Sequence, residues 1–143
     1  MKKIIQPKFK DPLYSLHDAH VTKMECRENS LLMTFDYGYI STEAPYEQVQ
    51  GQILLENPDW DFCHAYIMEY PDTLCGNYGR FTGEKMPLKA FTERYPDVSF
   101  DIMDESFGYN QVTLKGFLSE GQKIMECGLE ICYLGEFTYL IES

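Results

Sequence analysis

Hydrophobic and polar residues alternate with a period of two along much of the chain, the pattern of strands that bury one face. Between Ala19 and Tyr37 two alternating stretches flank Arg27-Glu28-Asn29-Ser30, a turn-like run, and predict a β-hairpin. With Glu28 and Asn29 at the tip, Cys26 falls opposite Leu31, Met24 opposite Met33, Thr22 opposite Phe35 and His20 opposite Tyr37. That face is apolar. The reverse face pairs Glu25 with Leu32, Lys23 with Thr34 and Val21 with Asp36, the wetter side of a sheet covered on one side only.

A third strand is expected from Tyr46 to Leu55, where Val49, Gly51, Ile53 and Leu55 alternate with Gln48, Gln50, Gln52 and Leu54. Asn57-Pro58-Asp59 reads as a turn. Trp60, Phe62, His64, Tyr66, Met68 and Tyr70 then share one parity against Asp61, Cys63, Ala65, Ile67 and Glu69, which predicts a fourth strand with an aromatic face. Residues 71–83, rich in Pro, Asp, Asn and Gly, read as the longest irregular connection, with a functional role suggested by its length.

One helix is predicted, near residues 87–95. Leu88, Phe91 and Tyr95 form a helical stripe, Pro87 suits a first helical position and Pro96 stops the element, giving a short lid on the sheet. Val98, Phe100 and Ile102 mark a fifth strand ending at Asp104-Glu105. A meander follows. With its tip at Glu120-Gly121, Val112 faces Leu129, Leu114 faces Cys127, Gly116 faces Met125, and Lys115 meets Glu126 on the reverse face. Leu134-Gly135 turns into a last strand over 137–141, and apolar residues on both sides of 128–141 predict strands that are central or covered on both faces. Hairpins joined by short turns, with one late helix, predict a mainly β (α+β) fold: an antiparallel β-sandwich or half-open barrel of about eight strands, forming a single domain over 1–143.

Composition sharpens this picture. Aromatic residues make up 15% of the chain, with eleven Tyr and nine Phe, so the core is expected to be aromatic. The net charge of −11 argues against binding to nucleic acid or to an anionic membrane, and favours a basic protein partner if the charge has a partner at all. Met1-Lys2-Lys3 begins like a signal peptide, yet no apolar stretch follows, which points to the cytoplasm. Cys26, Cys63, Cys75, Cys127 and Cys132 show no CxxC spacing and read as small buried apolar residues.

Candidate chemistry is sparse. His17-Asp18-Ala19-His20 places two imidazoles and a carboxylate close together, and with His64 forms a remote metal option; the simpler assignment has His17 and Asp18 bonding the backbone and His20 packing on Tyr37. Cys75-Gly76 lacks a partner base, Asp101 with Asp104 and Glu105 is the kind of pair any acidic chain contains, and Gly76-Asn77-Tyr78-Gly79 matches no phosphate-binding loop, so no catalytic residue and no cofactor is assigned. Tyr39, Tyr46, Trp60 and Tyr78 fall near predicted strand ends and loops, where packing in the core or at its rim is the simpler role for most of them; with Asp59 and Asp61 flanking Trp60, these six residues form the candidate binding surface, Trp60 first among them.

The segment Leu16-His17-Asp18-Ala19-His20-Val21, the following Leu31-Leu32-Met33-Thr34-Phe35-Asp36-Tyr37 and the late Leu129-Glu130-Ile131-Cys132-Tyr133-Leu134-Gly135-Glu136-Phe137 resemble a set of small uncharacterised bacterial β-rich proteins, some similar to immunity proteins of contact-dependent or polymorphic toxin systems. The resemblance implies a compact protein that covers a basic partner and carries over no functional residue. Together with the charge, it yields the expected function: a non-enzymatic cytoplasmic binding protein with a basic protein partner. The alternative is a small-ligand or carbohydrate-binding β-domain that uses the aromatic face of the Trp60–Tyr70 stretch.

Overall fold

The computed structural model describes residues 1–69 and 82–142. Within them the chain forms β1 (Lys2–Ile5), β2 (Tyr14–Ser15), β3 (His20–Cys26), β4 (Ser30–Phe35), β5 (Tyr39–Ser41), β6 (Gln48–Val49) and β7 (Gly51–Glu56). A single 3₁₀ turn (Trp60–Phe62) precedes β8 (His64–Glu69) and β9 (Thr82–Pro87). Helix α1 (Leu88–Arg94), β10 (Phe100–Gly108), β11 (Gln111–Glu120), β12 (Lys123–Cys132) and β13 (Phe137–Ile141) complete it. The mainly β, antiparallel architecture is as expected, but strands are more numerous than eight, because short pieces such as β1, β2 and β5 carry too few residues to show alternation.

Ten strands form one sheet in the order β1-β13-β7-β4-β3-β10-β11-β12-β8-β9, and β2-β5-β6 form a small second one. Helix α1 touches β3 as well as β8 and β9, strands far apart in that order. The long sheet must therefore curl around its inner face, with α1 spanning the gap. It is a half-open barrel plugged by a helix. Leu88 and Phe91, on the buried stripe of α1, enter the core, and Pro87 sits at the N-cap, one position earlier than expected.

Inside lies one apolar cluster containing Val21, Met33, Ile53, Phe100, Ile102, Leu114, Leu129 and Ile131. Fully burying one such side chain contributes about 1.5–3 kcal/mol relative to leaving it exposed. At one end the core turns aromatic: Tyr14, Tyr39 and Tyr139 pack with ring centroids 4.8–5.5 Å apart. Their ring packing ties the small sheet to β13. Both buried hydroxyls find acceptors, Tyr39 donating to the Gln52 carbonyl at 2.8 Å and Tyr139 to Gln6 Oε1 at 2.8 Å. Desolvation raises both phenol pKa values.

Register differs from the sequence reading in two places. In the β3–β4 hairpin, Cys26↔Leu31 and Met24↔Met33 form as expected, but a bulge between Val21 and Lys23 places Val21, not Thr22, opposite Phe35. The extra residue flips Val21 from the expected wet face into the core, where it is fully buried. In the β11–β12 hairpin the turn is Gly121-Gln122, so Leu114 faces Leu129, Gly116 faces Cys127 and Lys115 faces Gly128. Every pair moves by two residues, which keeps each side chain on its expected face while changing its partner.

Other expectations change as well. The third strand breaks at Gln50 into β6 and β7, in different sheets. Trp60–Phe62 is a 3₁₀ turn rather than strand, and β10 runs past Asp104 and Glu105 to Gly108. Gly83 of the supposed long connection belongs to β9, while 71–81 lies outside the described residues. Among the described strands only β13 is buried along its whole length; β12 alternates buried and half-buried positions from Met125 on and keeps an open face.

Candidate functional site

The inner face of β10, β11, β12 and β8 is filled by core residues, so any site on these strands belongs to their outer face. The registers arrange that face in rows. One row runs Asp101, Phe117, Glu126, Met68, Gly83; the next runs Asp104, Lys115, Gly128, Tyr66, Lys85; a third runs Ser106, Thr113, Glu130, His64, Pro87. Gly128 lies at the centre of the middle row. Without a side chain there, the face sinks into a hollow of about 820 Å³ whose walls include Tyr66, Met68, Met103, Phe117, Lys85 and Lys115. That volume falls within the range typical of ligand pockets, about 300–1,000 Å³.

The walls are held in place from several sides. Tyr66 donates its hydroxyl to Glu130 Oε2 at 3.1 Å, and Lys85 Nζ stands 5.5 Å above the Tyr66 ring. Met103 sits exposed at the β10 bulge between Ile102 and Asp104; the extra residue puts Asp104 beside it on the outer face and turns Glu105 inward, opposite Leu114. Beyond Phe117 the face continues into a second hollow of about 490 Å³ lined by Asp18, Asp101, Met103, Phe117, Ser119 and Ile124. Met103, Phe117 and Ile124 are all exposed and form an apolar shelf. The surrounding ionic groups are mostly carboxylates: Glu84, Asp104, Glu126 and Glu130 against Lys85 and Lys115, with Asp18 and Asp101 next door.

The residues singled out from sequence are not gathered here. Tyr39 is a core residue, 2% exposed, because β5 turns its ring onto Tyr14, Phe35 and Tyr139; it cannot serve a surface. Trp60 is half-buried, its indole N–H donating to the Glu28 carbonyl at 3.2 Å and its face covered by Lys89 Nζ at 4.7 Å. Its flanks differ, Asp59 being half-buried and Asp61 exposed. Tyr46 is exposed, but it precedes β7 whereas Trp60 follows it, so the two lie towards opposite ends of that strand. Tyr78 and Cys75 lie outside the described residues. The six-residue surface therefore does not assemble from Trp60, Tyr39 and Tyr46.

The three histidines do not converge either. His17 pairs with Asp18 at 3.0 Å, rather than either side chain bonding the backbone, and His64 stands in the outer row of β8 opposite Glu130. In place of the expected packing on Tyr37, the His20 ring is held between Asp36 and Ser99, each at 2.9 Å, and Tyr37 is exposed. Among the described residues no group of three or more His, Cys, Asp or Glu is placed to hold a metal ion. Four described cysteines are free thiols. Cys63 and Cys127 are buried, as expected, and burial pushes their thiols up to about 11 and about 12; Cys26 and Cys132 are only half-buried.

Within the outer face, Tyr66, Met68 and His64 belong to the aromatic parity read from the sequence. Gly128, Lys115, Phe117, Met103 and Lys85 had no such signal, since the hollow depends on register and not on residue type. No helix among the described residues is long and apolar enough to cross a membrane. Comparison with known proteins finds no family model, no curated protein and no solved structure that matches this chain.

Proposed function

We propose that the chain is a cytoplasmic binding protein whose outer sheet face receives a basic segment of a partner protein, an apolar side chain of that segment entering the hollow over Gly128. The observation that carries this reading is the hollow itself: an apolar shelf of Met103, Phe117 and Ile124 beside a side-chain-free floor, ringed mainly by carboxylates. An apolar centre with a charged rim is how protein interfaces divide affinity from steering. The net charge of −11 favours the same class of partner, as an immunity-like role requires. Free thiols at all four described cysteines are in keeping with a reducing compartment.

The volume of the hollow favours a second reading, a small neutral ligand stacked on Tyr66. One experiment separates the two. The isotopically labelled protein is titrated with short peptides of matched length, basic or acidic, each with or without a central Phe or Leu, and then with a panel of neutral sugars, while backbone amide shifts are followed. Shifts at Tyr66, Lys115 and Gly128 with the basic apolar peptides, weakened by salt and missing with the acidic ones, are expected. Shifts at those amides with a sugar alone would establish the second reading, and silence there with every probe would sink both.

A further inference from the structure

On the same outer face, where β3 meets β10, three side chains stand in the order carboxylate, imidazole, hydroxyl. Asp36 Oδ2 lies 2.9 Å from His20 Nδ1, and Ser99 Oγ lies 2.9 Å from His20 Nε2. A carboxylate accepts and does not donate, so in the neutral imidazole Nδ1 carries the proton and Nε2 offers its lone pair to the Ser99 hydroxyl. A hydroxyl bonded to a base that a third group orients is the arrangement that activates an oxygen nucleophile.

Three separate segments build it. His20 opens β3, Asp36 follows β4, and Ser99 precedes β10. The β3–β10 ladder has only two pairs, Val21↔Phe100 and His20↔Asp101, and these bring the segments together. Backbone bonds fix the outer two residues: Asp36 N–H donates to the His20 carbonyl at 3.3 Å, and the Ser99 carbonyl accepts from Ser119 N–H at 2.9 Å. The His20 and Asp36 side chains remain 24% and 34% exposed, so a ligand can reach them. Ser119 and Asp101, neighbours of Ser99 and His20 through these pairings, line the smaller hollow with Met103, Phe117 and Ile124.

We propose that Ser99 is a nucleophile activated by His20, with Asp36 as the positioning residue, and that it acts on a small neutral or cationic ester whose acyl chain lies on the Met103–Phe117–Ile124 shelf. The carboxylates of Asp18 and Asp101 beside that shelf disfavour an anionic substrate. Ser99 Oγ bonds to the carbonyl carbon as its proton passes to His20 Nε2. The bond to the leaving alkoxide breaks, and the alkoxide takes that proton to depart as the alcohol. Water then adds to the same carbon and gives a proton to Nε2; the carbon–Oγ bond breaks, the proton returns to Ser99, and the acid is released. The net reaction is ester plus water to acid plus alcohol. The proposal goes beyond partner binding and stands without it.

The test treats the folded protein with a small uncharged fluorophosphonate and, separately, with p-nitrophenyl butyrate, and locates any adduct by peptide mass mapping. One phosphonyl group on Ser99 is expected, with ester hydrolysis that the same reagent abolishes. His20→Gln should slow labelling by roughly a hundredfold or more, the scale of a lost general base. Asp36→Asn should slow it too, with an unchanged melting temperature, an outcome that a merely structural clasp would not produce. Ser99→Ala, which removes only a hydroxyl, should fold and take no label. Absence of an adduct on Ser99 in the unsubstituted protein, an adduct on a tyrosine instead, or Ser99 labelling that His20→Gln leaves at full rate would each overturn the proposal.

Discussion

At Gly116 an added Cβ would overlap the Asp101 carbonyl oxygen, whereas at Gly128, in the neighbouring strand, the nearest atom it meets is Lys115 Cγ at 3.9 Å. The first glycine is demanded by the fold. It lets β10 approach β11 closely beside the bulge at Met103. The second answers to no backbone constraint, and its missing side chain leaves the outer face hollow. The same contrast holds for the two faces of the sheet as a whole. Inside, Leu114, Leu118, Leu129 and Ile131 leave almost no exposed area; outside, Phe117 and Ile124 stand in water with space beside them. Stability belongs to the inner face, and recognition, on the reading proposed here, to the outer one.

Substitutions that cross this division should break it most visibly on the inner side. Leu129→Ala, at a fully buried position, is expected to cost about 2–5 kcal/mol in denaturant unfolding. Gly116→Val should cost roughly 1–3 kcal/mol by overpacking against β10. A loss much smaller than this would mean that the β10–β11 approach is looser than the bulge requires.

Glu105 sharpens the comparison as an inward carboxylate, paired across the ladder with Leu114. Burial raises its pKa, opposed by Leu16 N–H, which lies 3.1 Å from each carboxylate oxygen. A carboxyl raised in the folded state favours folding below its unfolded value, and that advantage disappears as pH rises through the folded one. Stability should therefore fall as pH climbs above the ordinary carboxylate range, and Glu105→Gln should flatten that slope in a pH series of melting curves. An unchanged slope would remove Glu105 as its source.

On the outer side the effects on stability shrink. Gly128→Val should leave stability unchanged or raise it by up to about 1 kcal/mol, since a strand interior gains from a side chain that meets no clash. Phe117→Ser should stay within about 0.5 kcal/mol while weakening binding of a basic apolar peptide. A large destabilisation from either would mean that the outer face carries the fold.

Much of this architecture is legible from alternation alone. The hairpin ending Cys26↔Leu31, the helical stripe of Leu88 and Phe91 and the faces of β11 and β12 follow from period and parity. What fails is what alternation does not encode. A single bulge residue sends Val21 inward, His20 is held by Asp36, and a turn at Gly121-Gln122 rather than Glu120-Gly121 puts Gly128 opposite Lys115. Exposure of aromatics is equally illegible: Tyr39 and Tyr46 look alike in the sequence, yet one is buried and the other is not. The hydroxyl and the acid that hold His20 lie 79 and 16 residues from it, so no local motif announces them.

On the proposed binding role, the side-chain-free floor at Gly128 makes the outer face a receptor. Titrating Gly128→Val with the basic apolar peptide, under the amide-shift readout used for the unsubstituted protein, addresses it directly. A folded variant that no longer responds at Tyr66 and Lys115 is the predicted result. An equally strong response with the hollow filled would contradict it.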